Sequence, residues 1–291
     1  MYLKTRALLA ALTALSVAGV AMGQSARMAD PDLLGIKPGM AKSAALAMLK
    51  EKFPTSKTAI VKKGVAIGTA DVYYDALYRI TLDKLKPSVA DDTLIISFLP
   101  DDTVLGLRRI IHYVPNKQTT GDVYTVLKQK YGDPVYFVYD DTTRFADQAM
   151  WSNTMLPGLT LIGASYVQGG VINSSDFGTV TPYPFCSSEM STYVGDLYDP
   201  KGIYEQLTDR SDFARKRVNQ WKSCGKALWV ENRSERHYPF TATYTEIMLV
   251  DLARAPDQFL DLPAMLKKNP ATLYAKPVTS LPKPSADTPS F

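Results

Sequence analysis

The residue types that carry acid, base or nucleophilic chemistry are sparse in this 291-residue chain. Its two histidines are His112 and His237. His112 lies in the apolar run Ile110-Ile111-His112-Tyr113-Val114 and reads as an ordinary strand residue. His237 lies in Arg233-Ser234-Glu235-Arg236-His237-Tyr238 and reads as part of a solvated turn. A His-Glu-x-x-His zinc motif is absent, as are a Cys/His cluster with ligand spacing, a Gly-x-Ser-x-Gly elbow and a glycine-rich phosphate loop. No metal and no cofactor is expected on these grounds. A Ser–His–Asp triad assembles in space, so sequence patterns leave that option open. Acid pairs occur at Asp91-Asp92, Asp101-Asp102 and Asp140-Asp141. Two carboxylates at a set separation could hydrolyse a glycoside. Neighbours on a strand point to opposite faces, however, and all three pairs border predicted strands, where acids mark turns.

A binding surface is the better-supported expectation. Tyr193, Tyr198 and Tyr204 stand in one region with Arg210, Arg215 and Arg217. Tyrosine gives a large contact area at small rotamer cost, and arginine gives planar hydrogen bonding. The same composition also suits a rigid cover over a sheet, with the basic side chains merely solvated. The only cysteines, Cys186 and Cys224, bracket this region. In an exported chain an even count predicts a disulfide, the alternative being two free buried thiols.

The elements that must position these residues repeat. Leu49-Lys50-Glu51-Lys52-Phe53 matches Leu127-Lys128-Gln129-Lys130-Tyr131 at a constant offset, and Ala45 and Met48 match Val123 and Val126. Spacing of i, i+3, i+4 and i+8 predicts one helical face in each copy. Pro54 ends the first helix and Gly132-Asp133-Pro134 the second. Thr119 with Asp122 forms an N-cap pair for the second helix, and Ala41 at the matching place gives the first a weaker start. Strands are predicted over 73–82, 92–99 and 107–114, then over 135–139, 159–167, 227–231 and 243–250. In the first of these, Tyr74, Ala76, Tyr78, Ile80 and Leu82 are expected to share the inward face. The fold class expected is α+β, with two related helix-on-antiparallel-sheet modules in tandem at 33–115 and 116–255. The second carries the disulfide-bracketed helical insertion 187–223, with Phe213, Ala214, Val218 and Trp221 on one face. A C-terminal helical segment is expected over 256–275 and a disordered Pro-rich tail over 276–291.

Leu34-Gly35-Ile36-Lys37-Pro38-Gly39-Met40 leads into the first helix, and Tyr131-Gly132-Asp133-Pro134 closes the second. A Gly-Met pair opening a helix, a helix closing in Gly-x-Pro, a following antiparallel sheet and the use of the unit twice resemble the β-lactamase-inhibitor-protein-like modules. Those modules also occur in the small outer-membrane assembly lipoproteins, and the whole is similar to periplasmic proteins of Gram-negative bacteria. The resemblance implies an architecture and a non-catalytic, protein-binding tendency, and carries over no binding residue. This chain has no lipobox Cys, and its modules are longer.

Lys4 and Arg6 followed by the apolar run Ala7 to Val20, with Ala21, Met22 and Gly23 at a cleavage site, read as a signal peptide over 1–23. The mature protein is then periplasmic or secreted, without a transmembrane segment. Removing Lys4 and Arg6 leaves 31 basic against 29 acidic residues, too even a balance for a nucleic-acid binder. The function expected is non-catalytic binding in the cell envelope, to a protein or an envelope polymer. The alternatives are a secreted hydrolase with an unrecognised site and a secreted enzyme inhibitor.

Overall fold

The computed structural model describes residues 28, 30–67, 70–83, 86–134, 136–139, 146–153, 171–173, 185–195, 198–209, 211–235 and 238–268. The signal-peptide segment, the strand expected over 159–167 and the Pro-rich tail lie outside these residues, as do Asp140, Asp141, Arg210 and His237.

The chain opens with helix α1 (Lys42–Lys52), then strands β1 (Lys57–Ile67), β2 (Ala70–Thr81), β3 (Val89–Phe98) and β4 (Val104–Tyr113). Helix α2 (Thr120–Tyr131) follows, then β5 (Tyr136–Tyr139), β6 (Ala146–Ser152) and β7 (Val171–Asn173). Helices α3 (Phe185–Tyr193), α4 (Pro200–Thr208) and α5 (Asp212–Ser223) precede β8 (Lys226–Glu235) and β9 (Tyr238–Asp251). Helices α6 (Ala255–Leu260) and α7 (Leu262–Lys268) complete the order. Among the described residues the strands form one nine-stranded sheet in the order β1-β2-β3-β4-β9-β8-β6-β5-β7. All pairings are antiparallel except β5 with β7.

The strands expected in two sheets therefore share one. The meander β1-β2-β3-β4 meets β9-β8-β6-β5 at the β4–β9 seam, where Arg109 lies opposite Ile247. Each face buries its own core. Helices α1 and α2 cover one face, with Ala45, Leu49, Phe53, Tyr124, Leu127 and Tyr131 set against Ile96, Leu107, Trp151 and Leu249. Helices α3 to α7 cover part of the other, with Met190, Ile203, Trp221 and Phe259 against Ile95, Trp229 and Val250.

Local chemistry explains these elements. Thr119 Oγ1 accepts the Asp122 N–H at 3.1 Å, capping α2 as its sequence predicts. Ala41 offers α1 no such side-chain cap. Helix α2 turns Thr120, Tyr124, Leu127 and Tyr131 to the sheet, so Val126, expected on that face, is 60% exposed instead. In β2 the expected alternation breaks. Val61 pairs Leu77 and Lys62 pairs Asp75, leaving Ala76 as an extra residue. That bulge moves Tyr74 to the α3–α7 face while Tyr78, Ile80 and Leu82 stay on the other.

The insertion is held against the sheet by covalent and close contacts. Cys186 on α3 and Cys224 just after α5 are bonded, with Cα atoms 5.8 Å apart. Gly106 on β4 lets α3 approach, because a Cβ there would lie 2.5 Å from a Val194 methyl. The C-terminal helical segment expected to start at 256 begins at Ala255, as α6 and α7.

Candidate seam cleft

Two oppositely charged residues sit at inward positions beside the seam. Asp92 on β3 lies opposite Ile111, and Arg109 is two residues from Ile111 on β4, so the two are diagonal neighbours on one face. Arg109 Nε donates to Asp92 Oδ1 at 2.9 Å and Nη2 to Oδ2 at 2.5 Å. Their side chains are only 18% and 6% exposed. A carboxylate this deep requires such a partner, since an unpaired buried charge is costly.

This pair belongs to the floor of a 310 Å³ cleft on the α1/α2 face. Ile111 and Tyr113 of β4 and Thr245 and Ile247 of β9 continue the floor across the seam. The Tyr113 hydroxyl hydrogen-bonds Thr245, while burial pushes its pKa up and keeps it protonated. Thr245 Oγ1 in turn donates to Asn232 Oδ1. One wall is α2, through Val123, Val126, Leu127 and Lys130. Leu33 and Leu34 form part of the rim.

The rim is strapped to both helices. Leu33 and Ile36 exchange backbone hydrogen bonds of 2.9 and 3.0 Å around a two-residue turn, Leu34-Gly35. Leu34 sits at φ 60° and Gly35 at φ 89°. Glycine takes that conformation freely, whereas leucine pays roughly 1–2 kcal/mol for it. Lys52 of α1 donates to the Leu34 carbonyl at 2.8 Å. From α2, Lys130 reaches Asp32 Oδ1 at 2.8 Å and Tyr131 donates to the Asp32 carbonyl at 2.5 Å. Asp32 Oδ1 also accepts the Gly35 N–H at 2.7 Å. Burial opposes the charge on Asp32, but the Lys130 and Gly35 bonds outweigh it and hold the carboxyl below its usual 3.8.

The residues expected to bind a partner lie elsewhere. Tyr193 and Tyr198 are fully buried and so form no outward surface. Tyr193 packs edge-on against Trp221, with ring centroids 6.0 Å apart, and against Phe259. The Tyr198 hydroxyl donates to the Phe98 carbonyl at 3.1 Å and, its one proton spent, accepts from Tyr74 at 2.7 Å. Tyr204 is partly buried against the same core. Arg215 is exposed and pairs with Asp212 one turn away at 2.5 Å. Arg217 belongs to α5, but its side chain is outside the described residues, as is the side chain of Phe213. Val218 and Trp221 pack on the sheet core, as a covering role for the insertion requires.

His112 is exposed on the face opposite the cleft, its ring 5.2 Å from that of Tyr244. On that face Glu231 and Glu246 stand directly opposite each other. Arg233 lies 2.6 Å from Glu231, and Arg108 Nε lies 2.7 Å from Glu246 without being aimed at it. Asp101 is spent on the Thr103 turn and Asp102 pairs with Lys42, as turn acids do. Among the described residues no group of three or more His, Cys, Asp or Glu is placed to hold a metal ion. No helix there is long and apolar enough to cross a membrane.

Asp92, expected with Asp91 to mark a turn, is instead buried within β3, and Arg109 was not expected at a site; each occupies the inward position of an apolar alternation, Asp92-Leu94-Ile96 and Leu107-Arg109-Ile111. Comparison with family models, curated proteins and solved structures gives no match for this chain.

Proposed function

We propose that this chain is an exported, non-catalytic binding protein of the cell envelope and that it grips a partner protein through the seam cleft. The observation that carries the reading is the cleft itself. It is a pocket of 310 Å³ with mainly apolar walls and a fixed ion pair in its floor. Its volume suits one or two large side chains of a partner, and apolar anchors in such pockets supply most of the energy of an interface. Apolar walls favour a protein side chain over a polyhydroxylated envelope polymer. The disulfide suits an oxidising compartment, and the charged start and apolar run at the N-terminus supply the export signal.

We further propose that the two halves arose from one repeated unit of helix plus four-stranded meander. The support for this is the matched start of α1 and α2, their packing on one face, and a strand order that reads alike from either end of β1 to β5. Recognition sites gather where repeated units meet, and the β4–β9 seam is that place here.

Val126 offers the test because it lines the cleft yet is largely exposed. Val126→Glu should leave stability within about 0.5 kcal/mol and weaken capture of the envelope partner by about tenfold or more. Arg215→Ala on α5 should leave capture unchanged. Loss of capture with Arg215→Ala and none with Val126→Glu would move the site to the insertion.

A further inference from the structure

The floor of the seam cleft keeps bonding capacity that the described residues leave unspent. A guanidinium carries five N–H donors in a planar fork. Arg109 spends its Nε hydrogen and one Nη2 hydrogen on the two oxygens of Asp92, along one edge of the plane. The other edge, Nη1 with the second Nη2 hydrogen, has no acceptor among the described residues. Arg109 lines the cleft, and its Nη1 is not sealed from solvent. Two parallel N–H groups match the two oxygens of a carboxylate, and such charge-assisted forks are roughly twice as strong as neutral bonds.

The charges around this edge admit a second acid. Asp92 offsets Arg109, and Asp32 offsets Lys130. Lys86, also in the lining, holds no ion pair among the described residues. The acid left over in the lining, Asp122, stands in the first turn of α2. The charge of Arg109 acts instead on the Tyr131 hydroxyl, at the far end of that helix, about 14 Å along its axis from Asp122. The walls select what carries the carboxylate. Leu34, Val126 and Ile247 give apolar surface, while the Ser88 and Gln118 side chains in the same lining hold no hydrogen bond among the described residues. At the last residue of a protein, α-carboxylate and side chain leave one carbon and enter a pocket together, and the backbone behind them needs polar partners. We propose, on the reading that this cleft holds the partner, that it captures the C-terminal residue of the partner protein. The large apolar side chain of that residue lies on the walls, and its α-carboxylate takes the free edge of Arg109.

Fluorescein-labelled Gly-Ser-Gly-Ser-Phe and Gly-Ser-Gly-Ser-Leu, each as free acid and as C-terminal amide, test this on the full chain by fluorescence anisotropy. The acids should bind about tenfold or more tightly than the amides, as bonds to a charged group imply. Arg109→Lys keeps a charge beside Asp92 but lacks the second planar edge. It should bring the acids down to the level of the amides, with circular dichroism unchanged, and Val126→Glu should weaken both. Equal binding of acid and amide in the parent, with both lost in Val126→Glu, would overturn the terminal carboxylate and leave the cleft as the partner site. No binding of either acid, or a preference that survives Arg109→Lys, would also overturn it. Displacement of the bound acid by less decanoate than unlabelled peptide would make a lipid-like acid the occupant instead. Capture of the envelope partner by the parent against Val126→Glu decides the cleft reading separately.

Discussion

Replacing Arg109 with leucine should reveal how much the cleft floor depends on its ion pair. The substitution leaves the Asp92 carboxylate, 6% exposed, without its bidentate donor. Breaking a buried pair from one side costs about 3–5 kcal/mol, and the 18% exposure of Arg109 places this case near the lower end. Total stability for such a protein is roughly 5–15 kcal/mol, so the variant should still fold. With a urea slope of about 3 kcal/mol per molar, a loss of about 3 kcal/mol moves the midpoint down by about 1 M. The double variant Asp92→Leu/Arg109→Leu removes both charges and should return to within about 1 kcal/mol of the parent, because buried pairs and well-packed apolar residues are close in energy. Urea unfolding of the parent, both single variants and the double variant completes the cycle. A cost under about 1 kcal/mol for Arg109→Leu alone, or a double variant as weak as the two single losses added, would refute the reasoning.

Three further outcomes follow from the same geometry. Cys186→Ser/Cys224→Ser opens a closure of 38 residues and should lower stability by about 4 kcal/mol on the chain-entropy estimate, read by chemical unfolding with and without reductant. The lowered carboxyl of Asp32 contributes stability that is full above about pH 4 and is lost as the pH falls through its depressed folded value. Lys130→Met should therefore flatten the acid limb of an unfolding-midpoint profile, and an unchanged limb would show that Asp32 does not drive it. Leu34→Gly releases a left-handed backbone but gives up partly buried packing. It should leave stability within about 1 kcal/mol while weakening partner capture, so a large change in unfolding with intact capture would contradict the rim's role.

The legible parts of this fold are those fixed by local chemistry. The stop at Pro54, the Thr119 cap and the alternation of Leu94, Ile96 and Phe98 each depend on residues close in sequence, and each is found as read. The Cys186–Cys224 bond is found as expected from the even cysteine count and the expectation of export. Strand β1 escaped notice because it is exposed on both faces over much of its length and shows no inward pattern. The bulge at Ala76 escaped because pairing register is a property of two strands, and it reassigned Tyr74 to the opposite face. Which strands meet at the seam was likewise invisible, since β4 and β9 carry similar apolar alternation. Tyr193 and Tyr198 stand among Pro, Ser, Gly and Asp, a context that suggests exposure. The disulfide-pinned helices press them into the sheet instead. Asp92 and Arg109 left a usable signal, namely opposite charges at inward positions of consecutive strands.

Site-specific photo-crosslinking tests the central claim most directly. A benzophenone side chain would be placed at Val126, at Leu34 or at Arg215, one variant at a time, in the full chain within its native host. If the seam cleft grips a partner protein, positions 126 and 34 should give the same discrete adduct, and position 215 on α5 should give none. An adduct from position 215 alone, or none from either cleft position, would contradict the account.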